Sequence, residues 1–236
     1  MQSMKPQRLI LWLAPEQFPN KEADLPKKLL RLKKSGLTIE WCTDIKSFKK
    51  LIPAIKKYPN SYIFTADDDV YYHKNTLENA WTTHEEFPNM IVSHRITKFF
   101  IDNDTYNDIS GGKETYPVPS FLHKLTGVGG VLYPPRCLHS DVVNESLFMG
   151  LCPTNDDIWF WLMGVLNGTK TAVPKRNFTD LHYIGSTQKK SSLSSINDRG
   201  ENLFWKQFFN VLRRYPTIDS VLKTEYKELA DDRQGA

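Results

Sequence analysis

The chain reads Ser61-Tyr62-Ile63-Phe64-Thr65-Ala66-Asp67-Asp68-Asp69 where a short apolar run meets three consecutive aspartates. The apolar run predicts a β-strand that ends at the acidic residues. Carboxylates this close together repel one another unless a positive charge lies between them. A hard divalent cation is a common partner of carboxylate oxygens. The stretch therefore indicates a cation site at the end of a strand, and the alternative is a solvated acidic turn.

Strands and helices alternate on both sides of this stretch. Strands are predicted over 8–14, 37–42, 91–101 and 127–133, and helices over 25–34, 47–58, 75–87, 156–166 and 202–214. The segment 102–119 is polar and is predicted to be a loop, as is 187–200. The alternation predicts an α/β fold with a largely parallel sheet, in one domain over 1–236. Ligands of such sheets bind beyond the carboxyl ends of the strands, which is where the aspartates are expected.

Composition limits the partners and the compartment. The 236 residues carry a net charge of +4 and a pI of about 8.8, which suits an anionic ligand or a membrane surface and does not call for nucleic acid. Cys42, Cys137 and Cys152 form neither a zinc pattern nor a disulfide framework, so a cytoplasmic location is expected. No apolar run reaches the length of a membrane span. Basic residues cluster early and predict either solvated helix faces or peripheral contact with anionic lipid: Lys27, Lys28, Arg31, Lys33, Lys34, Lys46, Lys49, Lys50, Lys56 and Lys57.

A second acidic motif, Asn155-Asp156-Asp157, precedes a strongly apolar helix. Acidic residues are favoured at a helix N-terminus, so the motif is consistent with a simple cap. The aromatic run that follows, Trp159-Phe160-Trp161, indicates instead that the helix is deeply buried. A carboxylate held on a buried helix is well placed to act as a general base.

Two further features have both a structural and a functional interpretation. Gly127, Gly129 and Gly130 lack side chains, which is typical either of a β-bulge or of a strand that a ligand approaches closely. Their spacing lacks the G-x-G-x-x-G pattern of a dinucleotide site. A lone histidine is usually structural, but His182 becomes a candidate third ligand if the aspartates hold a metal.

Taken together, these motifs resemble those of a bacterial GT-A glycosyltransferase, a family 2-like sugar transferase of the capsule and lipopolysaccharide kind. The resemblance spans about residues 5–215 and is carried by four segments. They are Leu9 to Pro19, Tyr62 to Tyr72 with its D-x-D motif, Gly127 to Tyr133, and Pro153 to Trp159.

The resemblance implies a GT-A-like fold, a nucleotide-sugar donor such as a UDP-sugar, and Mn²⁺ or Mg²⁺. Asp67, Asp68, Gly129 and Gly130 would contact the donor. Asp69 and Asp67 would hold the metal, with His182 as the further ligand. Asp156 or Asp157 would deprotonate a hydroxyl of a glycan or lipid-linked acceptor, with Asp157 preferred, and the likeness favours inversion of the anomeric centre.

The start of the chain departs from this family. Residues 1–7 look like the end of a helix and the loop after it, so the first βα unit of the family is expected to be missing and donor binding to be weakened. A non-catalytic remnant or binding module is therefore the alternative function. A phosphoryl hydrolase is disfavoured because its nucleophile and metal motifs are absent from the sequence.

Overall fold

A parallel βαβ unit begins the fold. The computed structural model describes residues 2–110, 116–177, 181–184 and 203–234. Strand β1 (Leu9–Leu13) pairs in parallel with β2 (Leu37–Trp41), in register from Leu9 opposite Leu37 to Leu13 opposite Trp41. Helix α1 (Lys27–Arg31) lies between them and continues as a 3₁₀ turn to Ser35, after which Gly36 ends the helix with φ +98°. The two predicted strands and the helix are confirmed, although Leu9 is 56% exposed and β1 is not a buried strand.

A mixed four-stranded sheet forms the centre. Its strands lie in the order β10 (Thr171–Ala172), β5 (Ile91–Ser93), β9 (Val131–Tyr133) and β3 (Ile63–Thr65). Strand β10 is parallel to β5, whereas β9 runs antiparallel to both of its neighbours. Thr65 at the end of β3 lies opposite Val131 at the start of β9. The residues after β3 and those before β9 therefore meet at the same edge of the sheet.

Two smaller antiparallel sheets lie beside the central one. Strand β6 (Ile96–Asp102) pairs with β7 (Thr105–Ser110) and with β8 (His123–Leu125). Strand β4 (Val70–Tyr71), directly after the aspartates, pairs with β11 (His182–Tyr183).

The sheet arrangement corrects several predictions. The fold is mixed α/β as expected, but among the described strands only β1–β2 and β5–β10 are parallel, so a largely parallel sheet was wrong. The predicted strand 91–101 is two strands, because the chain leaves the central sheet at His94 and Arg95. Part of the predicted loop 102–119 is strand β7, and residues 111–115 lie outside the described ranges, as does the predicted loop 187–200.

Helix α5 (Asp156–Leu166) is deeply buried, and α6 (Leu203–Arg214) and α7 (Pro216–Gln234) pack against it. The other described helices after α1 are α2 (Ile52–Lys57), α3 (Thr76–Glu86) and α4 (Glu145–Leu151), and α3 packs on β5 and β9 of the central sheet. Trp159, Phe160 and Trp161 of α5 are essentially inaccessible, which confirms that the aromatic run marks a buried helix. Rings from three separate elements, Phe48, Phe99 and Phe208, pack in the same core. Helix α7 was not predicted, and within the described ranges no helix is both long and apolar enough to cross a bilayer.

A buried glutamate attaches α7 to the rest of the fold. Glu225 Oε2 accepts hydrogen bonds from Phe121 N–H at 2.6 Å and from the Ser120 hydroxyl at 3.0 Å. Its other oxygen, Oε1, lies 2.7 Å from Lys170 Nζ. The carboxylate thus satisfies donors from the segment before β8 and the lysine just before β10.

Replacing this carboxylate should destabilise the whole fold. We expect Glu225→Ala to lower the free energy of unfolding by about 3 kcal/mol, because it leaves buried donors and a lysine without their partner. Urea unfolding would measure the change. Glu228→Ala, at an exposed position three residues further along α7, is the matched control and should change it by less than about 0.5 kcal/mol. Equal losses in the two variants would show that the Glu225 contacts do not hold α7.

Candidate active site

The three aspartates form a turn between β3 and β4, as the sequence predicts for the end of a strand. Asp68 is exposed, and Asp67 and Asp69 are half-buried. The backbone N–H of Asp67 donates to the Tyr72 hydroxyl at 2.9 Å, and that hydroxyl donates to the Val128 carbonyl at 2.8 Å. Tyr72 therefore ties the acidic turn to the glycine-rich segment on the neighbouring strand.

The glycine-rich segment is a bend that leads into β9. Gly127–Gly129 form a 3₁₀ turn, so the predicted strand 127–133 begins only at Val131. A Cβ at Gly129 would lie 2.6 Å from Arg95 Cβ, and one at Gly130 would lie 2.7 Å from Phe64 Cζ at a φ of +89°. Close packing by the protein itself thus explains why these two positions are glycine. Contact of Gly129 and Gly130 with a donor stays a prediction.

The N-terminus of α5 brings the second acidic motif to the same edge. The Asn155 side chain accepts a hydrogen bond from Ile158 N–H at 3.1 Å, which confirms the predicted cap. Asp156 is only 6% exposed, whereas Asp157 is half-buried. Asp157 Oδ1 accepts a hydrogen bond from Gly127 N–H at 3.0 Å. The carboxylate that stays partly open to solvent is therefore the one that touches the glycine bend.

A lysine from an earlier element lies between the two acidic motifs. Lys50, the last residue of the 3₁₀ turn Lys46–Lys50, places its Nζ 3.1 Å from Asp67 Oδ1 and 3.2 Å from Asp156 Oδ2. The first contact is a hydrogen bond, while the second is an ion pair without hydrogen-bond geometry. The structure thus joins Asp67 to Asp156, which the sequence could only place on separate elements.

The surroundings of Asp157 tune its acidity. Burial among protein atoms and the nearby Asp156 raise its pKa to about 6, while Lys50 and Lys124 pull in the opposite direction. Lys124, on β8, is itself buried, and that burial lowers its pKa although Asp157 and other carboxylates oppose the shift. A carboxyl group whose pKa lies near 6 takes up and releases protons close to neutral pH.

Backbone contacts bring the segment that contains His182 beside the acidic turn. Ile184 N–H donates to the Asp69 carbonyl at 2.9 Å, and His182 lies opposite Tyr71 in the β4–β11 pair. The segment 181–184 therefore runs beside the acidic turn. Within the described ranges, no three His, Cys, Asp or Glu side chains are grouped closely enough to hold a metal ion. The metal site stays a prediction.

The chemistry of the donor set suits one kind of metal site. The exposed Asp68 and half-buried Asp69 offer hard carboxylate oxygens, while Asp67 is already paired with Lys50. Mg²⁺ is usually held by one or two carboxylates together with substrate phosphates, and rarely by a complete protein cage. The aspartate turn therefore offers two carboxylates, those of Asp68 and Asp69, that could serve as ligands of a hard divalent cation.

Sequence reasoning missed Lys50, Tyr72 and Lys124. Lys50 belongs to a basic run that resembles a solvated helix face, and nothing in its local pattern separates it from Lys49. Lys124 stands beside His123 between Leu122 and Leu125, and this mixed pattern gives no sign that the lysine is buried. Tyr72 lies within the motif segment but gave no sign that its hydroxyl bridges two elements.

No protein-family model matches the sequence, and no match is found among curated proteins. The chemistry open to the site therefore follows from its own side chains. The half-buried Asp157 can accept a proton, the aspartate turn presents carboxylate oxygens at the surface, and Lys50 supplies a positive charge that contacts both acidic motifs.

The space at Gly127 should be essential to this arrangement. A Cβ there would lie 2.7 Å from Asp157 Oδ1 and 2.8 Å from Lys50 Nζ, so Gly127→Ala must displace both groups. Both atoms are the ends of flexible side chains that can move, so the cost comes from the hydrogen bond and ion pairs they lose, and we expect the free energy of unfolding to fall by about 1 kcal/mol. Gly150→Ala in α4, where a Cβ meets nothing within 4 Å, should instead raise it by up to about 1 kcal/mol. Denaturant unfolding of both variants would measure this, and a neutral Gly127→Ala would contradict the geometry.

Proposed function

We propose that this chain is a metal-dependent glycosyltransferase with a GT-A-like fold. It would transfer a sugar from a nucleotide-sugar donor, a UDP-sugar first of all, to a glycan or lipid-linked acceptor in cell-surface polysaccharide synthesis. The reaction breaks the bond between the anomeric carbon and the diphosphate and forms one to the acceptor oxygen. It therefore needs a group that accepts the hydroxyl proton and a positive charge beside the departing diphosphate.

One observation carries the proposal. Asp157, a half-buried carboxylate with a pKa of about 6, lies at the same sheet edge as the aspartate turn, and Lys50 connects the two motifs through Asp156 and Asp67. A base near neutral pKa and a cation-binding turn at one edge are the two parts that sugar transfer from a nucleotide donor requires.

The side chains divide the work between them. Asp157 is the proposed base, because it keeps solvent access and an acceptor hydroxyl can approach it. Asp156 is almost fully buried and paired with Lys50, so we assign it a structural role, in which it anchors Lys50 at the N-terminus of α5. Asp69 would hold the Mn²⁺ or Mg²⁺ ion together with the donor phosphates. The further ligands that the resemblance implies, Asp67 and His182, would have to move towards the ion, because Asp67 is paired with Lys50 and no three such side chains are grouped among the described residues. When bound, that ion neutralises the charge that develops on the diphosphate.

Inversion follows from a direct displacement. If Asp157 removes the proton while the acceptor oxygen attacks the anomeric carbon opposite the diphosphate, one step exchanges the two bonds and inverts the centre. No covalent sugar–enzyme intermediate is then required, and Asp157 needs only to accept a proton within hydrogen-bond reach.

We place this activity in the cytoplasm, at the inner face of the membrane. The exposed basic residues of α1 and the turn after it support contact with anionic lipid: Lys27, Lys28, Arg31, Lys33 and Lys34. Leu32, half exposed among them, adds an apolar side chain to the same surface.

Activity should depend on pH through Asp157. Because a general base must be deprotonated, we expect the transfer rate to rise with pH through about 6 and then to level off. Asp157→Asn should lower kcat by at least about 100-fold and remove this limb. Initial rates from pH 4.5 to 8.5 with a panel of UDP-sugars would measure both. Asp231→Asn, at an exposed position on α7, should leave the profile unchanged, and an Asp157→Asn enzyme that keeps the wild-type profile would exclude Asp157 as the base.

Activity should also depend on the acidic turn and on divalent metal. We expect chelation, or Asp69→Ala, to abolish transfer and the donor-induced thermal shift, because the diphosphate charge is then left uncompensated. The melting temperature without donor should hardly change, since Asp69 lies in a surface turn. Asp102→Ala, an exposed carboxylate at the end of β6, is the control. Transfer that survives Asp69→Ala would contradict the metal assignment, whereas donor binding without turnover in the wild type would favour the binding module.

A further inference from the structure

Lys50 contacts two elements that are separate in the chain. Its Nζ lies 3.1 Å from Asp67 in the turn after β3 and 3.2 Å from Asp156 in the first turn of α5. Among the described strands, no backbone pairing joins this turn directly to α5. The lysine is thus a direct polar link between the proposed donor-binding and acceptor-activating motifs.

The site is shaped to admit this ammonium group. Gly127 leaves the room for it, since a Cβ at that position would lie 2.8 Å from Lys50 Nζ. The Lys50 side chain is 21% exposed, so water solvates it only in part. Burial alone would lower the pKa of Lys50, but Asp156, Asp157 and Asp67 together outweigh it and raise that pKa well above its usual range. The group is therefore a permanent cation among carboxylates.

The neighbouring lysines of the same turn have other partners. Lys49 Nζ pairs with Asp44 at 2.8 Å, and Lys46 Nζ donates to the Pro153 carbonyl at 3.3 Å. Neither contacts a carboxylate of the two acidic motifs. Lys49 is thus a matched control: it lies next to Lys50, belongs to the same 3₁₀ turn and also makes an ion pair.

We propose that Lys50 is a positioning residue that holds the aspartate turn against the N-terminus of α5 and so fixes the donor-binding and base carboxylates relative to each other. This role rests on the proposed function and assigns to it a residue that the motifs do not contain. Lys50 itself neither accepts the proton nor replaces the divalent cation. It sets the position and the electrostatic environment of the groups that do.

Removing the charge should affect both position and acidity. Lys50→Met keeps much of the aliphatic stem but loses the ammonium group, and a displacement of about 1 Å between reacting groups can cost about 100-fold in rate. The same change removes a positive charge that holds down the pKa of Asp157, so the acidic limb of the rate profile should move to higher pH. Among the described residues, the charged or titratable groups that interact with Asp157 are Asp156, Asp67, Lys50, Lys124, Tyr133 and Cys152.

The experiment compares Lys50→Met, Lys50→Gln, Lys50→Arg and Lys49→Met in the full chain. We expect Lys50→Met and Lys50→Gln to lose about 100-fold in kcat, and the acidic limb of their pH–rate profiles to lie above pH 6. Lys50→Arg should recover both the activity and the original position of this limb. Lys49→Met should match the wild type. A stability effect alone would lower the active fraction without moving the limb. Wild-type kcat and an unmoved limb in Lys50→Met, or in Lys50→Gln if the methionine variant does not fold, would overturn the proposal.

A second measurement separates this proposal from the proposed function. The ¹³C shift of the Asp157 carboxyl, followed by NMR against pH, reports its titration without any turnover. A higher midpoint in Lys50→Met or Lys50→Gln than in the wild type and Lys49→Met supports the electrostatic link even if no sugar donor is turned over. Equal midpoints in all variants would overturn the link whether or not the wild-type enzyme transfers sugar.

Discussion

The burial of α5 is the constraint on which the site depends. A helix whose aromatic side chains face the core on every side cannot lie at the surface, so its N-terminus is drawn towards the interior as well. Two carboxylates, Asp156 and Asp157, are carried with it into a region where water solvates them poorly. Such charges are stable only when other polar groups replace the lost water. The Asn155 side chain does not do this, because it bonds the Ile158 N–H, so the partners of both carboxylates must come from other elements.

The partners come from elements that the core itself brings together. Gly127 N–H donates to Asp157 from the bend before β9, and Lys50 reaches Asp156 from the turn that also buries Phe48 in the core. The packing that buries the helix therefore also supplies the charges that its first turn needs. The acidic turn after β3 joins this arrangement because β9 runs antiparallel to β3 and brings the bend to the same edge.

The parts of the site that are encoded locally could be predicted from the sequence. A strand that ends at charged residues is indicated by the local sequence alone. The same holds for a helix that begins after an asparagine and two aspartates, because its cap forms between residues close together in the chain. The direction of β9 could not be predicted, because the pattern of a short apolar strand is the same in parallel and antiparallel pairs. Strand β7 was missed because the stretch Thr105–Ser110 is mostly polar. Lys50 was missed because tertiary packing alone distinguishes it from Lys49.

The pairing of β4 with β11 has a consequence for how the protein is made. The turn that carries Asp67 to Asp69 emerges from the ribosome well before Asp156, and much earlier than Ile184, whose N–H bonds the Asp69 carbonyl. Contacts between residues so far apart form late, since the chain between them must first be closed into a loop. The pair between Lys50 and Asp67, which are 17 residues apart, can form early in synthesis, whereas the contacts with Asp156 and Ile184 must wait until most of the chain has been made. The site is therefore completed in two stages, first between the turn and Lys50 and later with α5 and the segment 181–184.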